Sequence, residues 1–355
     1  MSLNVFGTLM SKVINANLCT NCGTCIGSCP VNVLYSSDAE KPTIKGRCIL
    51  CQICYYSCPR VSLDIQEIEK GVFGRARNDG REMLTGIYKS AYLAKTTDPY
   101  IQSVCQDGGV ATSLLKFTLE NNTIDCAVAT SSDAISQLKP KPTVIWNPKE
   151  LLLASGARYS IGGSVGGLGE AFQSFPKGNF AFVGLPCEIQ GFRKIQFSKR
   201  SNEHTSQNVA LSIGIFCSKV FNYNQLIDYF SKECGDGLKD ITRVEIKKGR
   251  LKALSRNKDV LVDVPVNKAD QFVREGCRTC PDYTAELSDI SIGAAGAPLG
   301  WSIVLTRTEA GENAFKEVCK SELLEYKPIA DLKKELGLVL KLAEIKKKNI
   351  WKQVE

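Results

Sequence analysis

This sequence predicts a main body of mixed α+β and α/β structure, preceded by a small cysteine-rich domain, on three observations. Eight of its sixteen cysteines fall between Cys19 and Cys58, in two copies of one pattern. Beyond that run, apolar β-rich stretches alternate with segments whose apolar residues recur at helical spacing. The 355 residues, 43% hydrophobic and 23% charged, suffice for two or three buried cores and exclude a disordered or collagenous chain. No apolar run reaches the roughly 18 residues of a membrane span, and MSLNVFGTLMSKVINAN lacks the apolar stretch and cleavage site of an export signal. A cytoplasmic protein is expected, and there clustered cysteines point to metal or redox chemistry rather than disulfides.

The two copies read CTNCGTCIGSCP and CILCQICYYSCP, with two, two and three residues between successive cysteines and Pro30 or Pro59 closing each loop. This is the spacing of bacterial two-cluster ferredoxins, where the fourth cysteine of each run serves the other run's 4Fe-4S cluster. The expected ligand sets are Cys19, Cys22, Cys25 and Cys58 for one cluster, and Cys48, Cys51, Cys54 and Cys29 for the other. Zinc also accepts four thiolates, but its sites pair two CxxC units without such a third-residue run. Residues 1–70 therefore read as a two-cluster ferredoxin-like domain. The polar EIEKGVFGRARNDGREMLTG follows as a linker and YKSAYLAKT as a first strand, which together give a 71–100 connection.

In the main body, QDGGVATSLLKFTLENN is a glycine turn opening an amphipathic helix on Val110, Leu114, Leu115 and Leu119. TIDCAVAT is a strand, KPKPTVIWNPKE a proline-broken segment, and SIGGSVGGLG a glycine-rich loop running into the helix-like EAFQSF. The loop does not carry GxGxxG in register, so no Rossmann dinucleotide site is expected. NFAFVGLPC and NVALSIGIFC read as buried strands ending in a cysteine, at the place where α/β folds commonly put ligands. NQLIDYFSKEC reads as a helix; VEIKKGRLKAL, DVLVDVPV and GWSIVLTRT read as strands. In the last segment, 329–355, Leu332, Leu336, Val339, Ala343 and Ile350 share one helical stripe, suited to packing on its own domain or to docking on a partner subunit.

Of the remaining cysteines, Cys277 and Cys280 form a CRTC pair beside Pro281, while Cys187 and Cys217 stand at strand ends. Spacing alone leaves two readings for these four, a third cluster or buried apolar thiols. Cys105, Cys126, Cys234 and Cys319 read as structural thiols. The turn Asp107, Gly108, Gly109, Val110, Ala111, Thr112 could bring helix-terminal amides to a phosphate, although glycine before a helix is also an ordinary turn. The single histidine, His204, sits in the polar SKRSNEHTSQN as a solvated loop residue, which argues against histidine triads and His-rich metal sites. The net charge of +8 is spread along the chain without the basic-aromatic interleaving of nucleic-acid binders, and suits a small anionic ligand. Clusters move electrons singly, so exchange of electron pairs calls for a flavin or a partner.

Taken in order, QDGGVATSLL, ASGARYS, GLPCEIQGFRK, LSIGIFC, CRTCPDYTAELSDISIG and GWSIVLTRTEAG resemble the coenzyme F420 hydrogenase/dehydrogenase beta-subunit family, over roughly residues 15 to 320. The resemblance implies an FAD-binding main domain, 101–170 forming its N-terminal part and 171–328 its C-terminal part, with a third 4Fe-4S cluster on Cys187, Cys217, Cys277 and Cys280. It further implies that Gln106, Asp107, Gly108, Gly109, Val110, Ala111 and Thr112 contact FAD, and that Ser155, Gly156, Ala157, Arg158, Tyr159 and Ser160 line the flavin pocket. Arg158 stands where family members often carry lysine, and no acidic residue appears near Ala294, where they often have one. The implied activity is hydride exchange between coenzyme F420 and FAD, with single electrons passing through three clusters to a redox partner or larger dehydrogenase or hydrogenase complex, itself free or peripheral to a membrane. Arg158, Arg193 and Lys194 are the candidates for the phosphodiester and glutamate tail of the coenzyme. Two other readings share the cysteines: a ferredoxin-driven FAD reductase of an organic substrate, like 7-hydroxymethyl chlorophyll reductase, and a flavin-free electron-transfer adaptor.

Overall fold

The computed structural model describes residues 3–78, 80–133, 138–197, 208–329 and 336–351. His204 and Leu332 lie outside them, as does the side chain of Ile350. In the N-terminal lobe, the two-copy cysteine pattern reappears in the backbone. Asn21 and Gly23 flank Cys22 with φ of 61° and 82°, and Leu50 and Gln52 flank Cys51 with 57° and 68°. Left-handed residues at alternate positions turn amides toward one point. Accordingly, the Asn21 amide donates to Cys19 Sγ and the Leu50 amide to Cys48 Sγ, both at 3.4 Å. Short helices Thr24–Gly27 and Ile53–Tyr56 follow each turn, and an antiparallel hairpin of β1 (Leu34–Ser36) and β2 (Pro42–Ile44) lies between them. Phe6, Leu9, Val13, Ile14, Leu34 and Tyr55 close the lobe around the thiols.

The main body is built on an eight-stranded sheet. Its strands are β3 (Ser90–Thr96), β4 (Cys126–Ser132), β5 (Pro140–Ile145), β6 (Phe180–Gly184) and β7 (Val209–Ile215), then β11 (Ile290–Gly293), β12 (Ser302–Thr306) and β13 (Leu324–Pro328). The spatial order is β13-β3-β12-β11-β7-β6-β4-β5. The central four, β11, β7, β6 and β4, are parallel, and antiparallel strands extend both sides. Parallel strands covered on both faces read as continuous apolar runs, and Phe180, Ala181 and Phe182 are all buried. Helices Val110–Glu120 and Glu309–Lys320 pack one face through Leu114, Leu115, Phe315 and Val318. Helices Val165–Ser174 and Pro186–Phe197 pack the other through Leu168, Ile189 and Phe192.

Three segments differ from the sequence expectation, the first being the linker-like EIEKGVFGRARNDGREMLTG, which opens within a helix, Ile65–Phe73. KPKPTVIWNPKE is not merely broken by its prolines, since Pro140 to Ile145 form β5. This strand lies at the sheet edge, where a missing amide breaks no ladder on the open side. The second half of the glycine-rich SIGGSVGGLG is helical, because the helix begins at Val165. Its glycines serve close packing: a Cβ on Gly23 would stand 2.3 Å from Gly163 O, and Gly169 packs on the backbone of Gly27.

A smaller antiparallel sheet, β8 (Ile241–Lys247), β9 (Arg250–Ser255) and β10 (Val260–Pro265), packs with helix Tyr223–Cys234 around Phe221, Leu226 and Phe230. VEIKKGRLKAL is thus two strands, joined at Lys248 and Gly249, both with positive φ, as a tight hairpin requires. The C-terminal helix Gly337–Trp351 packs on its own chain, Val339 and Ala343 lying against Ile303, Leu305 and Tyr283. A buried network secures it: Lys347 pairs with Glu286, which shares Arg77 with Glu69. No helix among the described residues is long and apolar enough to cross a membrane.

Candidate functional site

A cavity of about 340 Å³ opens at the carboxyl ends of the parallel strands, lined by Thr130, Gly184, Ile215 and Gly293. Both segments singled out in the sequence reach it, Gln106 to Thr112 and Ser155 to Ser160 lining it throughout. The hydroxyls of Thr112 and Ser155 join the two at 3.3 Å. Gly109, with φ 68°, opens helix Val110–Glu120, and no side chain caps it. The first amides of that helix therefore lack intrahelical acceptors and favour an anion. Gly108 leaves no room for a side chain, since a Cβ there would meet Ala94 O at 2.6 Å. Gln106 Oε1 is buried without a partner, an acceptor awaiting a donor. Burial pushes the Asp107 carboxyl up, Lys247 opposing it.

Arg158 builds the wall rather than presenting a free charge. Its guanidinium donates to the carbonyls of Leu153, Ala154 and Gly156 and to Ser132 Oγ, and burial pulls its pKa down to about 10. Tyr159 fastens the small sheet, its hydroxyl accepting from the Ile246 amide at 3.0 Å and its carbonyl from the Phe221 amide at 2.7 Å. Burial raises that phenol to about 12.

Arg193 and Lys194 do not reach the cavity, which corrects their assignment to the coenzyme tail. Arg193 is buried and bonds to Leu287 O, Ser212 Oγ and Asp289. Lys194 donates to the carbonyls of Cys58 and Ser62, tying the N-terminal lobe to helix Pro186–Phe197. The cations the sequence reading missed are Arg243, Arg256 and Lys258. They line an adjoining cavity of about 410 Å³ that shares Gln106 and Ser155 to Ser160 with the first. Arg243 is committed to the carbonyls of Cys105 and Gln106 and to Glu245. Only the density of basic residues in RVEIKKGRLKALSRNK could have signalled them.

Twelve cysteines gather as three quartets, close enough to feel one another's charge. Cys25 is pushed up by burial, then by Cys19, Cys58 and Cys22. Cys54 is pushed up to about 12 by burial, then by Cys51, Cys29 and Cys48. Cys217 is pushed up to about 12 by burial, against the opposing charge of Lys346, with Cys277 and Cys280 adding to the rise. Cys187 is raised by burial, Glu188, Cys22, Cys280 and Cys277. Cys187 sits at the start of helix Pro186–Phe197, Cys217 just past β7, and Cys277 in the short helix Glu275–Arg278. The Cys217 amide donates to Tyr283 O at 2.9 Å. Of the other thiols, Cys126 is buried within β4, Cys105 borders the cavity and donates to Asp107 O, and Cys234 donates to Phe230 O.

The quartets surround spaces rather than points. Small cavities lie among the thiols of the first two. Among the described residues, no three His, Cys, Asp or Glu side chains converge on a single metal ion. Thr20 Oγ1, Ser28 Oγ and Ser57 Oγ are buried without partners near these thiols. Buried polar groups are nearly always bonded, and the sulfides of an iron–sulfur cluster are acceptors of the kind these donors lack. The residues present fit such a cluster. The sites also adjoin: Cys217 lines the strand-end cavity, Cys187 and Cys22 share one packed cluster with Ile161 and Val220, and Cys51 of the second quartet is exposed.

A cysteine-run lobe docked on an α/β sheet with a strand-end cavity defines an iron–sulfur protein of the electron-transferring class. Residues 12–35 match the 4Fe-4S binding domain, residues 91–165 the N-terminal part of the coenzyme F420 hydrogenase/dehydrogenase beta subunit, and residues 178–332 its C-terminal part. The beta subunit of coenzyme F420 hydrogenase from Methanothermobacter thermautotrophicus is 32% identical over 77% of this chain and 96% of its own length. A subunit of the F420H2 dehydrogenase of Methanosarcina mazei is 29% identical over 96% of this chain and 92% of its own. This chain also aligns, at 30% identity over 98% of its length, with 52% of a coenzyme F420-dependent sulfite reductase from Methanocaldococcus jannaschii. A chain of the F420-reducing [NiFe] hydrogenase complex from Methanosarcina barkeri superposes with a TM-score of 0.71 and 32% identity, over 76% of this chain and 92% of that one. The chain belongs to the coenzyme F420 hydrogenase/dehydrogenase beta-subunit family.

Proposed function

We propose that the chain is an iron–sulfur flavoprotein oxidoreductase that exchanges a hydride with coenzyme F420 at an FAD and passes single electrons through three 4Fe-4S clusters to a partner. The observation that carries this is the unbroken succession from cavity to surface: Cys217 at the cavity, Cys187 beside Cys22, Cys25 beside Cys54, and Cys51 exposed. Family membership and the relatives' names support the coenzyme. On this reading residues 1–70 are the two-cluster lobe, 71–100 the connection, 101–170 and 171–328 the two parts of the flavin and coenzyme domain, and 329–355 the terminal segment that carries helix Gly337–Trp351. The setting is cytoplasmic, with a redox partner docking over Cys51.

FAD supplies the conversion between a hydride and two single electrons, which clusters cannot perform. The chain's part is to hold and orient. The open amides of Val110, Ala111 and Thr112 would hold the flavin diphosphate, Gln106 Oε1 would accept a buried N–H, and Ser155 to Ser160 would form the facing wall. Arg256 and Lys258, in the adjoining cavity, meet the phosphodiester and glutamate tail of the coenzyme. A hydride moves without a protein base, in keeping with a chain that has one histidine.

The test is anaerobic purification with quantification of iron, sulfide and FAD, followed by mixing with reduced coenzyme F420 and viologen. About twelve irons are expected from three four-iron clusters, with FAD present, the coenzyme oxidised and viologen reduced. A flavin-loaded protein that is inert to the coenzyme but quickly reduced by ferredoxin overturns the substrate and favours the ferredoxin-driven reductase. Protein without FAD favours the adaptor.

A further inference from the structure

The C-terminal helix Gly337–Trp351 lies beyond the matched family segments, yet it reaches the third quartet. Its Lys346 points into the interior, only 9% exposed, and donates to the carbonyl of Cys217. Its charge falls on Cys280, Cys217 and Cys277. Arg60, just after Cys58 and Pro59, also reaches this quartet. Its Nη1 donates to Thr279 O at 3.4 Å, and its buried guanidinium lies within hydrogen-bond reach of Cys280. Its charge falls on Cys280 and Cys187, and on Cys22 of the neighbouring quartet.

The helix is anchored by other residues. Leu336, Val339 and Ala343 already bury its apolar stripe, and Lys347 makes the conventional ion pair with Glu286. An ammonium buried at this cost must be compensated, and apart from the buried Asp282 it faces the sulfurs of one quartet, which are anionic once they ligate a cluster. A fixed positive charge in a low-dielectric site favours the cluster state that has gained an electron.

We propose that Lys346, with Arg60, raises the reduction potential of the cluster at Cys187, Cys217, Cys277 and Cys280, and so draws electrons out of the cavity. Lys346 is a tuning residue that acts through the cluster without ligating it. The inference rests on the three-cluster reading above.

The experiment is a redox titration of the purified holoprotein followed by low-temperature EPR, on wild type, Lys346→Met, Lys346→Arg and the surface control Lys348→Met. In Lys346→Met one of the three couples falls by about 59 mV or more, a tenfold shift in its ratio of reduced to oxidised cluster. Lys346→Arg restores it, and Lys348→Met leaves all couples in place. Lys346→Met with full iron and three unmoved couples overturns the proposal. Loss of one cluster from Lys346→Met, with its retention in Lys346→Arg, also overturns it, by making the lysine structural. A wild-type protein with only about eight irons defeats the three-cluster reading itself, a separate failure visible before any variant is made.

Discussion

A methyl group placed on Gly27 would stand 2.2 Å from the carbonyl oxygen of Val165. The N-terminal lobe and helix Val165–Ser174 therefore meet backbone to backbone. Gly27→Ala forces them apart, at a cost of about 1–3 kcal/mol for an overpacked contact. The apparent melting temperature and electron delivery to an external acceptor should both fall while iron content holds. An alanine variant with wild-type melting and turnover would show that the seam gives way easily.

The two arginines Arg193 and Arg256 separate a structural charge from a binding one. Arg193→Ala strands Asp289, buried beside Ser212, and should destabilise the fold by about 3–5 kcal/mol, as breaking a buried pair does. Arg256→Ala should leave the fold intact and raise the KM for coenzyme F420 roughly fivefold, the equivalent of about 1 kcal/mol for an exposed pair. The effect should shrink with added salt. Denaturant unfolding and steady-state kinetics check the two halves independently.

Cys187→Ala and Cys126→Ala divide ligands from core thiols. The first should lose about four irons, one cluster's worth. The second, inside β4 with no exposed surface, should keep all of them. Iron analysis after gel filtration decides, and a full complement in Cys187→Ala would dissolve the third quartet as a site.

How much of this was legible beforehand depended on whether the information was local. Cysteine spacing is local, so the lobe and its thiols could be read at once. The glycines of SIGGSVGGLG could not, because the backbone they accommodate belongs to Gly23 and Gly27, far away in sequence. Pro140 and Pro142 looked like breakers because a strand's position in its sheet is invisible until its neighbours are known. Arg193 and Arg256 are equally basic in the sequence; only packing decides that one faces Asp289 and the other a cavity.

Acid should expose the connection between lobe and body. Glu82 is held down at about 2, chiefly by the hydrogen bond from Arg75, against an ordinary value of 4.5. A depressed carboxyl stabilises the fold above its unfolded value, and that contribution is lost as pH falls from about 4.5 toward 2. Glu82→Gln removes the dependence, so its unfolding curve should be flatter than wild type across that window. Parallel curves by circular dichroism would dismiss the pair.

The provenance of the ligands gives the protein an order of maturation. Every cysteine of the first two quartets has been synthesised once Cys58 is added, whereas the third draws on Cys187, Cys217, Cys277 and Cys280 and is covered by a helix ending at Trp351. On the ribosome, the first lobe can receive iron while the sheet that will carry it is still unmade. A cluster on the third quartet must wait until Cys280 and the covering helix Gly337–Trp351 have been made. Iron starvation or premature termination should therefore leave molecules with an occupied outer lobe and an empty inner site, wired to a partner but cut off from the substrate.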